Sequence, residues 1–152
     1  MWQSPKRARS RGFTLLELLV VVMIIGIAAG MTTLALRDAD ASRLEEEGAR
    51  LAALFESARA RSRAEGIEVL WQPKREQGNG FTFTGLSQSA GLPNQWLDER
   101  TRGEVIGAPV IRLGPEPVIG AQRVALRIEE RQLVLATDGL GPFVVVAPEQ
   151  SP

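Results

Sequence analysis

The sequence contains no cysteine, no histidine and only two lysines, and each shortage removes a class of function. Without cysteine there is no disulfide and no thiolate metal site. Without histidine there is no imidazole ligand and no Ser-His-Asp or Cys-His catalytic arrangement. A Ser-Lys pair would have to use Lys6 or Lys74. Since no phosphate-binding loop or metal-ligand cluster is present either, the sequence predicts a protein that is not an enzyme and uses no metal or cofactor.

Charge is uneven along the chain, although its formal net charge is zero. Residues 1–12 contain four basic side chains and no acid, which leaves 14 basic and 18 acidic residues after them. That remainder has no general attraction for nucleic acid. The 152 residues leave room for one modest domain beside the apolar segment near the start.

A long apolar run follows this basic leader. It extends from Phe13 to Leu36 and is interrupted only by Glu17 and three threonines. As a helix it would be about 36 Å long, enough to cross a hydrocarbon core of about 30 Å. The basic residues before it and the acidic residues after it predict a single-pass transmembrane segment with a cytoplasmic N-terminus. A cleaved signal peptide ending near Ala28-Ala29-Gly30 is the alternative.

The beginning of the run carries a specific motif. Residues 11–18, RGFTLLEL, lie between the basic leader and the apolar run. They resemble the processing and assembly signal of type IV pilins and of type II secretion pseudopilins. The resemblance implies that a prepilin peptidase cuts between Gly12 and Phe13, removing residues 1–12 as a leader peptide, and that it N-methylates Phe13. This resemblance is strong over residues 7–36 and much weaker beyond them.

Glu17 is the one charged residue in the apolar run from Phe13 to Leu36, so its presence needs an explanation. A charge in hydrocarbon costs about 2.5 to 3.5 kcal/mol. Cleavage would create an α-amine on Phe13 one helical turn away, with a reference pKa near 8. In a packed array of helices the Glu17 carboxylate could neutralise the amine of a neighbouring subunit. The alternative is that Glu17 simply favours the positive end of the helix dipole.

Gly26 and Gly30 form a G-x-x-x-G pattern within the same run. This spacing lets two helix backbones approach closely, which makes both glycines candidates for helix packing. The alternative is that both glycines are small residues merely tolerated in a bundled membrane helix, which would give the same pattern.

Residues 37–66 have helical periodicity. An apolar or small stripe with spacings of four and three predicts an amphipathic helix that packs on its own domain. Gly66 predicts the C-terminal stop. The resemblance implies one helix continuing from the membrane segment, whereas Ser42 and Glu45 fit a capping box that could begin a new helix. The stripe comprises Leu44, Gly48, Leu51, Phe55, Ala58 and Ser62.

Beyond Gly66 the pattern changes to short β-type runs. The last three are joined by short polar or glycine-rich turns, which predict an antiparallel meander. One helix followed by six strands predicts an α+β fold, and a long N-terminal helix packed on an antiparallel β-rich domain at 67–152 is also the pilin plan. The predicted strands are Ile67–Trp71, Phe81–Thr84, Val110–Leu113, Arg123–Ile128, Gln132–Thr137 and Phe143–Val146.

A polar, Gly- and Pro-containing segment at about 86–109 predicts a long loop. Trp96 stands in it without a periodic context, so it is a candidate partner contact as well as a side chain that could be tucked under its own loop. Arg50, Arg59, Arg61 and Arg63 lie on or near the amphipathic helix. The alternate spacing of Arg59, Arg61 and Arg63 does not place these three on one phosphate-binding face, which predicts a solvated helix surface.

The resemblance implies a minor pseudopilin of the type II secretion system, closest to the H-type subunits. Such a protein is a structural subunit of the periplasmic pseudopilus, in its tip complex, and helps to export folded proteins across the outer membrane. Its implied partners are the prepilin peptidase, other major and minor pseudopilins and the inner-membrane secretion platform. The implied location is the bacterial inner membrane, with the C-terminal domain in the periplasm. The alternatives are a FimT-like minor type IV pilin acting in pilus assembly or DNA uptake, and a periplasmic domain that is anchored but never polymerises.

Overall fold

The computed structural model describes residues 14–74, 79–87 and 91–146, with the backbone alone for residues 30–38. One helix precedes seven strands. The chain divides into two compact units, Met1–Asp38 and Ala39–Pro152, which are described separately. The elements are α1 (Leu15–Glu65), β1 (Leu70–Pro73), β2 (Phe81–Thr84), β3 (Arg102–Ile106), β4 (Ile111–Arg112), β5 (Gln122–Ile128), β6 (Arg131–Thr137) and β7 (Val144–Val146).

The first unit contains the beginning of α1, whose large apolar side chains lie open to solvent. From Leu15 to Ile27 their exposed fractions range from 44% to 82%. Among the residues described, no helix has both the length and the apolar character needed to cross a membrane. The predicted transmembrane segment at 13–36 stays a prediction.

The backbone of α1 is helical through residues 37–42, so the Ser42 capping box does not begin a second helix. The helix ends at Glu65, and Gly66 follows with a φ of 66°. The Ile67 N–H donates to the Ser62 carbonyl at 3.1 Å, which satisfies one of the last helical acceptors. The stop predicted at Gly66 is therefore confirmed.

The second unit packs the stripe of α1 against two antiparallel sheets. All six stripe residues are buried, as the sequence predicts. Leu133 of β6 approaches Gly48 so closely that an added Cβ would lie 2.9 Å from its Cδ2 atom. A larger side chain at Gly48 would therefore require the Leu133 side chain to move.

The strands form sheets of order β2-β1-β4 and β3-β5-β6-β7. All six predicted strands are present, and the β5-β6-β7 meander is confirmed by its registers, including Leu126↔Leu133 and Leu135↔Val145. β3 lies inside the predicted loop at 86–109, so that loop is shorter than expected. The predicted α+β, pilin-like fold is confirmed.

Aromatic rings occupy the core between α1 and the sheets. Phe55 of the helix meets Trp71 at a centroid distance of 5.1 Å and Phe143 at 4.7 Å, both edge-to-face. Such pairs add about 0.5 to 1.5 kcal/mol to the burial of their surface. These contacts connect the helix to the first sheet and to the segment just before β7.

Candidate functional site

The described part of the N-terminal motif begins with a helix cap. Thr14 precedes α1, and the Glu17 N–H donates to the Thr14 carbonyl at 3.1 Å and to its Oγ1 at 3.2 Å. This is the cap geometry of a Thr-x-x-Glu sequence. Glu17 is exposed in the first turn of the helix, near the positive end of the dipole. The structure thus places its carboxylate one turn from the helix start, where it is accessible to a neighbouring molecule.

Two predicted processing residues, Gly12 and Phe13, lie outside the described residues, so cleavage and methylation stay predictions. Gly26 lies on an open part of α1, where an added Cβ would meet no atom within 4 Å. Gly30 is helical, but its surroundings lie outside what the structure describes. Around Gly26 the helix surface is therefore available to another helix.

The main chemical feature of the first part of α1 is its exposed apolar surface. Eleven large side chains between Leu15 and Ile27 are exposed. A contiguous apolar surface of this kind marks a protein or membrane interaction site. Glu17 is the one carboxylate between Leu15 and Ile27. The surface is therefore suited to packing in an apolar environment against a partner whose positive charge can pair with Glu17.

Trp96 is buried, so of the two predicted alternatives the structure agrees with the side chain tucked under its own loop and not with the exposed partner contact. Its side chain is 6% exposed. The ring meets Phe81 at a centroid distance of 4.7 Å and Trp71 at 6.3 Å. Trp96 is thus an anchor that holds its own loop to the core.

A polar cluster on α1 fixes the loop on either side of Trp96, and it is not among the residues predicted from the sequence. Glu47 is 1% exposed, and its Oε2 accepts from the Leu97 N–H at 2.6 Å. Arg50 donates through Nη1 to Glu47 Oε1 at 2.8 Å and to the Gln95 carbonyl at 3.1 Å. The helix therefore binds backbone groups of both neighbours of Trp96.

The same cluster continues one turn toward the helix start. Arg100 donates through Nη2 to Asp40 Oδ1 and to Asp98 Oδ2, both at 2.8 Å, and Arg43 contacts Asp98 at 3.2 Å. Hydrogen bonds from Arg100 hold the pKa of Asp98 at about 2, and the two aspartates raise the pKa of Arg100 above its ordinary value. The spacing of Asp40, Arg43, Glu47 and Arg50 places them on one helix face, which is the signal that could have revealed the cluster.

Arg59 contradicts the prediction of a solvated arginine surface. It is 3% exposed and donates through Nη1 to the Gly141 carbonyl at 2.8 Å and to Glu56 Oε1 at 3.2 Å. The turn that it reaches is ordered by Asp138, whose Oδ1 accepts from the N–H groups of Leu140 and Gly141. Those hydrogen bonds lower the pKa of Asp138. Arg59 therefore links α1 to the β6–β7 connection.

Comparison with known families finds a match to the prokaryotic N-terminal methylation motif at residues 7–33. The match begins in the basic leader and ends within α1, so it includes the capped start of the helix. No curated protein and no solved structure matches the chain. The motif indicates a type IV pilin-like protein, a pilin or a pseudopilin, that is processed by a prepilin peptidase and assembles with other pilin-like subunits.

Proposed function

We propose that this protein is an H-type minor pseudopilin of the type II secretion system, a structural subunit in the tip complex of the periplasmic pseudopilus that helps to export folded proteins. One observation carries the proposal. The methylation motif at residues 7–33 leads into a helix whose large apolar side chains are 44% to 82% exposed from Leu15 to Ile27. Such a surface requires lipid or other helices around it.

The proposed mechanism is polymerisation rather than catalysis. Cleavage between Gly12 and Phe13 removes the basic leader and leaves a methylated α-amine. The helix from Phe13 to Leu36 anchors the subunit in the inner membrane and then packs with neighbouring helices, with the second unit in the periplasm. Because Glu17 is exposed in the first turn, its carboxylate can reach the amine of an adjacent subunit, and the cost of an unpaired charge in an apolar environment then selects the correct axial register.

The assignment to the H-type group rests on a narrower resemblance. The segment LVLATDGLGPFVVVA resembles the closing strands of those subunits. In this chain it forms most of β6, the turn held by Arg59 and Asp138, and β7. Its two strands belong to the β5-β6-β7 meander of the second sheet.

Processing can be tested on protein extracted from the membrane of a host that has a prepilin peptidase. We expect mass spectrometry to find a chain that begins at N-methylated Phe13. The variant Gly12→Leu should remain uncut because its side chain blocks close approach of the protease to the backbone. Gly26→Ala is the control, since an added Cβ there meets open space. A chain that begins at Met1, or near Gly30, would contradict the proposal.

The secretion role can be separated from a pilus role with Glu17→Gln. This variant keeps the size of the side chain and removes its charge, so we expect normal cleavage but loss of cross-linked multimers and of exoprotein in the medium. Glu46→Gln, on the exposed helix surface of the second unit, is the matched control. Intact secretion with loss of pili or of DNA uptake would favour the FimT-like alternative. Intact function in both assays would favour an anchored domain that does not polymerise.

A further inference from the structure

A groove of about 880 Å³ lies on the second unit. It is formed by β1, β2, β3 and β5 together with the segments beside them. Its size is within the range of about 300 to 1,000 Å³ that is typical of ligand sites. The polar side chains that line it are Gln72, Lys74, Thr82, Arg102, Glu104 and Arg127.

Three of these side chains are cations, and two of them are opposed in the sheet. Arg102 of β3 is the register partner of Arg127 of β5. Like charges directly opposite each other on neighbouring strands destabilise a sheet. Arg102 donates to the Glu99 and Thr101 carbonyls, and Arg127 donates to the Gln132 amide oxygen at 3.1 Å. All of these acceptors are uncharged, so the repulsion between the arginines is not relieved by them.

Five arginines of this unit have carboxylate partners. Arg43, Arg50, Arg59, Arg100 and Arg112 each contact an aspartate or a glutamate within 4.0 Å. Within the described ranges of the chain, neither Lys74 nor the opposed arginines have such a partner. The groove therefore has an excess of positive charge that an incoming anion can neutralise.

The remaining lining indicates a peptide rather than a nucleic acid. Glu104 lies two residues from Arg102 on the same strand face and is paired in register with Ala125. A nucleic-acid backbone carries a phosphate at every nucleotide and would bring one against that carboxylate, whereas a polypeptide can place an uncharged side chain there. Pro73, Val105, Pro109 and Ala125 add apolar groups to the lining. A lining with charges of both signs and apolar groups complements a polypeptide segment.

We infer that this groove binds an extended acidic segment of a partner protein, with carboxylates of that segment paired to Arg102 and Arg127. Side chains of an extended chain alternate between its two sides, so acidic residues at every second position would face the groove together. Lys74 provides a third positive charge for the same ligand. The inference rests on this geometry and does not depend on the secretion role proposed above.

The test uses the full chain in detergent micelles and a labelled ten-residue peptide of alternating Glu and Thr. We expect saturable binding in fluorescence anisotropy that weakens as salt is added. Arg102→Gln and Arg127→Gln should each weaken binding about fivefold, as expected for loss of one accessible ion pair. Glu104→Gln should strengthen it. Arg112→Gln is the matched control, because Arg112 is exposed on β4, outside the groove, and pairs with Glu68 at 3.2 Å.

Three results would overturn the inference. The first is absence of saturable binding to the parent protein. The second is equal loss of affinity in Arg112→Gln and Arg127→Gln, which would indicate general attraction of an anion to the surface. The third is tighter binding of a single-stranded oligonucleotide of the same charge, which would assign the groove to nucleic acid. Thermal unfolding separates folding from binding, since relief of the arginine pair should leave both groove variants at least as stable as the parent.

Discussion

Glu47 is a carboxylate whose two oxygens are both occupied within the protein. It is 1% exposed, and it accepts from the Leu97 N–H and from Arg50. An ion pair buried in this way adds little net stability compared with apolar packing. Removal of one partner is nevertheless costly, because it leaves the other charge without a partner. We therefore expect Glu47→Ala to lower the free energy of unfolding by about 3 kcal/mol, measured by urea unfolding with tryptophan fluorescence.

The neighbouring Glu46 is the control for that measurement. It is exposed, so Glu46→Ala should change the free energy of unfolding by less than about 0.5 kcal/mol. If both variants lose the same stability, the effect comes from helix charge or propensity, and the proposed role of Glu47 in holding the loop is wrong.

Asp98 predicts a pH dependence. Its folded pKa is about 2, below the ordinary 3.8, mainly because Arg100 donates to it through the side chain and the backbone N–H. A carboxyl whose pKa is depressed by folding stabilises the fold above the unfolded pKa, and this contribution is lost as the pH falls through the folded value. We expect Asp98→Asn to be less stable than the parent at about pH 6, and the difference to shrink to a small fraction near pH 2 and to vanish only below it.

Urea unfolding at a series of pH values between these limits measures that difference. Glu99→Gln is the matched control, because Glu99 is an exposed acid in the same loop. A stability difference between Asp98→Asn and the parent that stays constant over the whole range would show that the effect of the substitution is not electrostatic.

At the scale of elements, the loop before β3 behaves as a packed part of the core. Trp96→Ala removes a ring that contacts two other aromatic rings, and we expect it to cost about 3 to 5 kcal/mol of unfolding free energy. Leu97→Ala is the control, since Leu97 is 56% exposed. Thermal and urea unfolding measure both. Equal small losses would mean that the loop is not anchored through the tryptophan.

The helix and six strands could be predicted because each has its own periodic pattern. The stripe from Leu44 to Ser62 follows helical spacing, and β5 and β6 follow strand spacing. β3 could not be predicted in this way. Of its two inward positions, Val105 is apolar but Gly103 has no side chain, because an added Cβ there would lie 2.9 Å from Cζ2 of Trp96. The signal for this strand is thus divided between a glycine and a tryptophan seven positions earlier.

Some residues of the candidate sites could likewise be predicted from the sequence, and others could not. The methylation motif is contiguous, so Gly12, Phe13 and Glu17 could be proposed from local sequence, and a family model matches that region. The pair of Arg102 and Arg127 could not be found, because it depends on the register between β3 and β5. Arg59 was placed on a solvated surface for a related reason: its acceptor, the Gly141 carbonyl, is 82 positions away.

For the whole molecule, the two compact units predict that the second can be separated from the first. The buried apolar core begins at Leu44. A fragment starting at Ala39 should therefore unfold cooperatively with a melting temperature within about 4 °C of that of the full chain in detergent. A fragment starting at Ala52 loses Leu44, Glu47 and Leu51 and should not fold. Circular dichroism during heating distinguishes them, and a non-cooperative transition for the longer fragment would contradict this division.

The contact between Arg59 and Gly141 also determines when folding can finish during synthesis. The helix is made first, but Phe55 and Arg59 meet their partners only after Phe143 and Gly141 have left the ribosome. Until then the apolar side of the helix has no sheet to cover it, and a chain in that state is prone to aggregate. The time needed to synthesise the strands is therefore a period in which the apolar side of this part of the helix is uncovered.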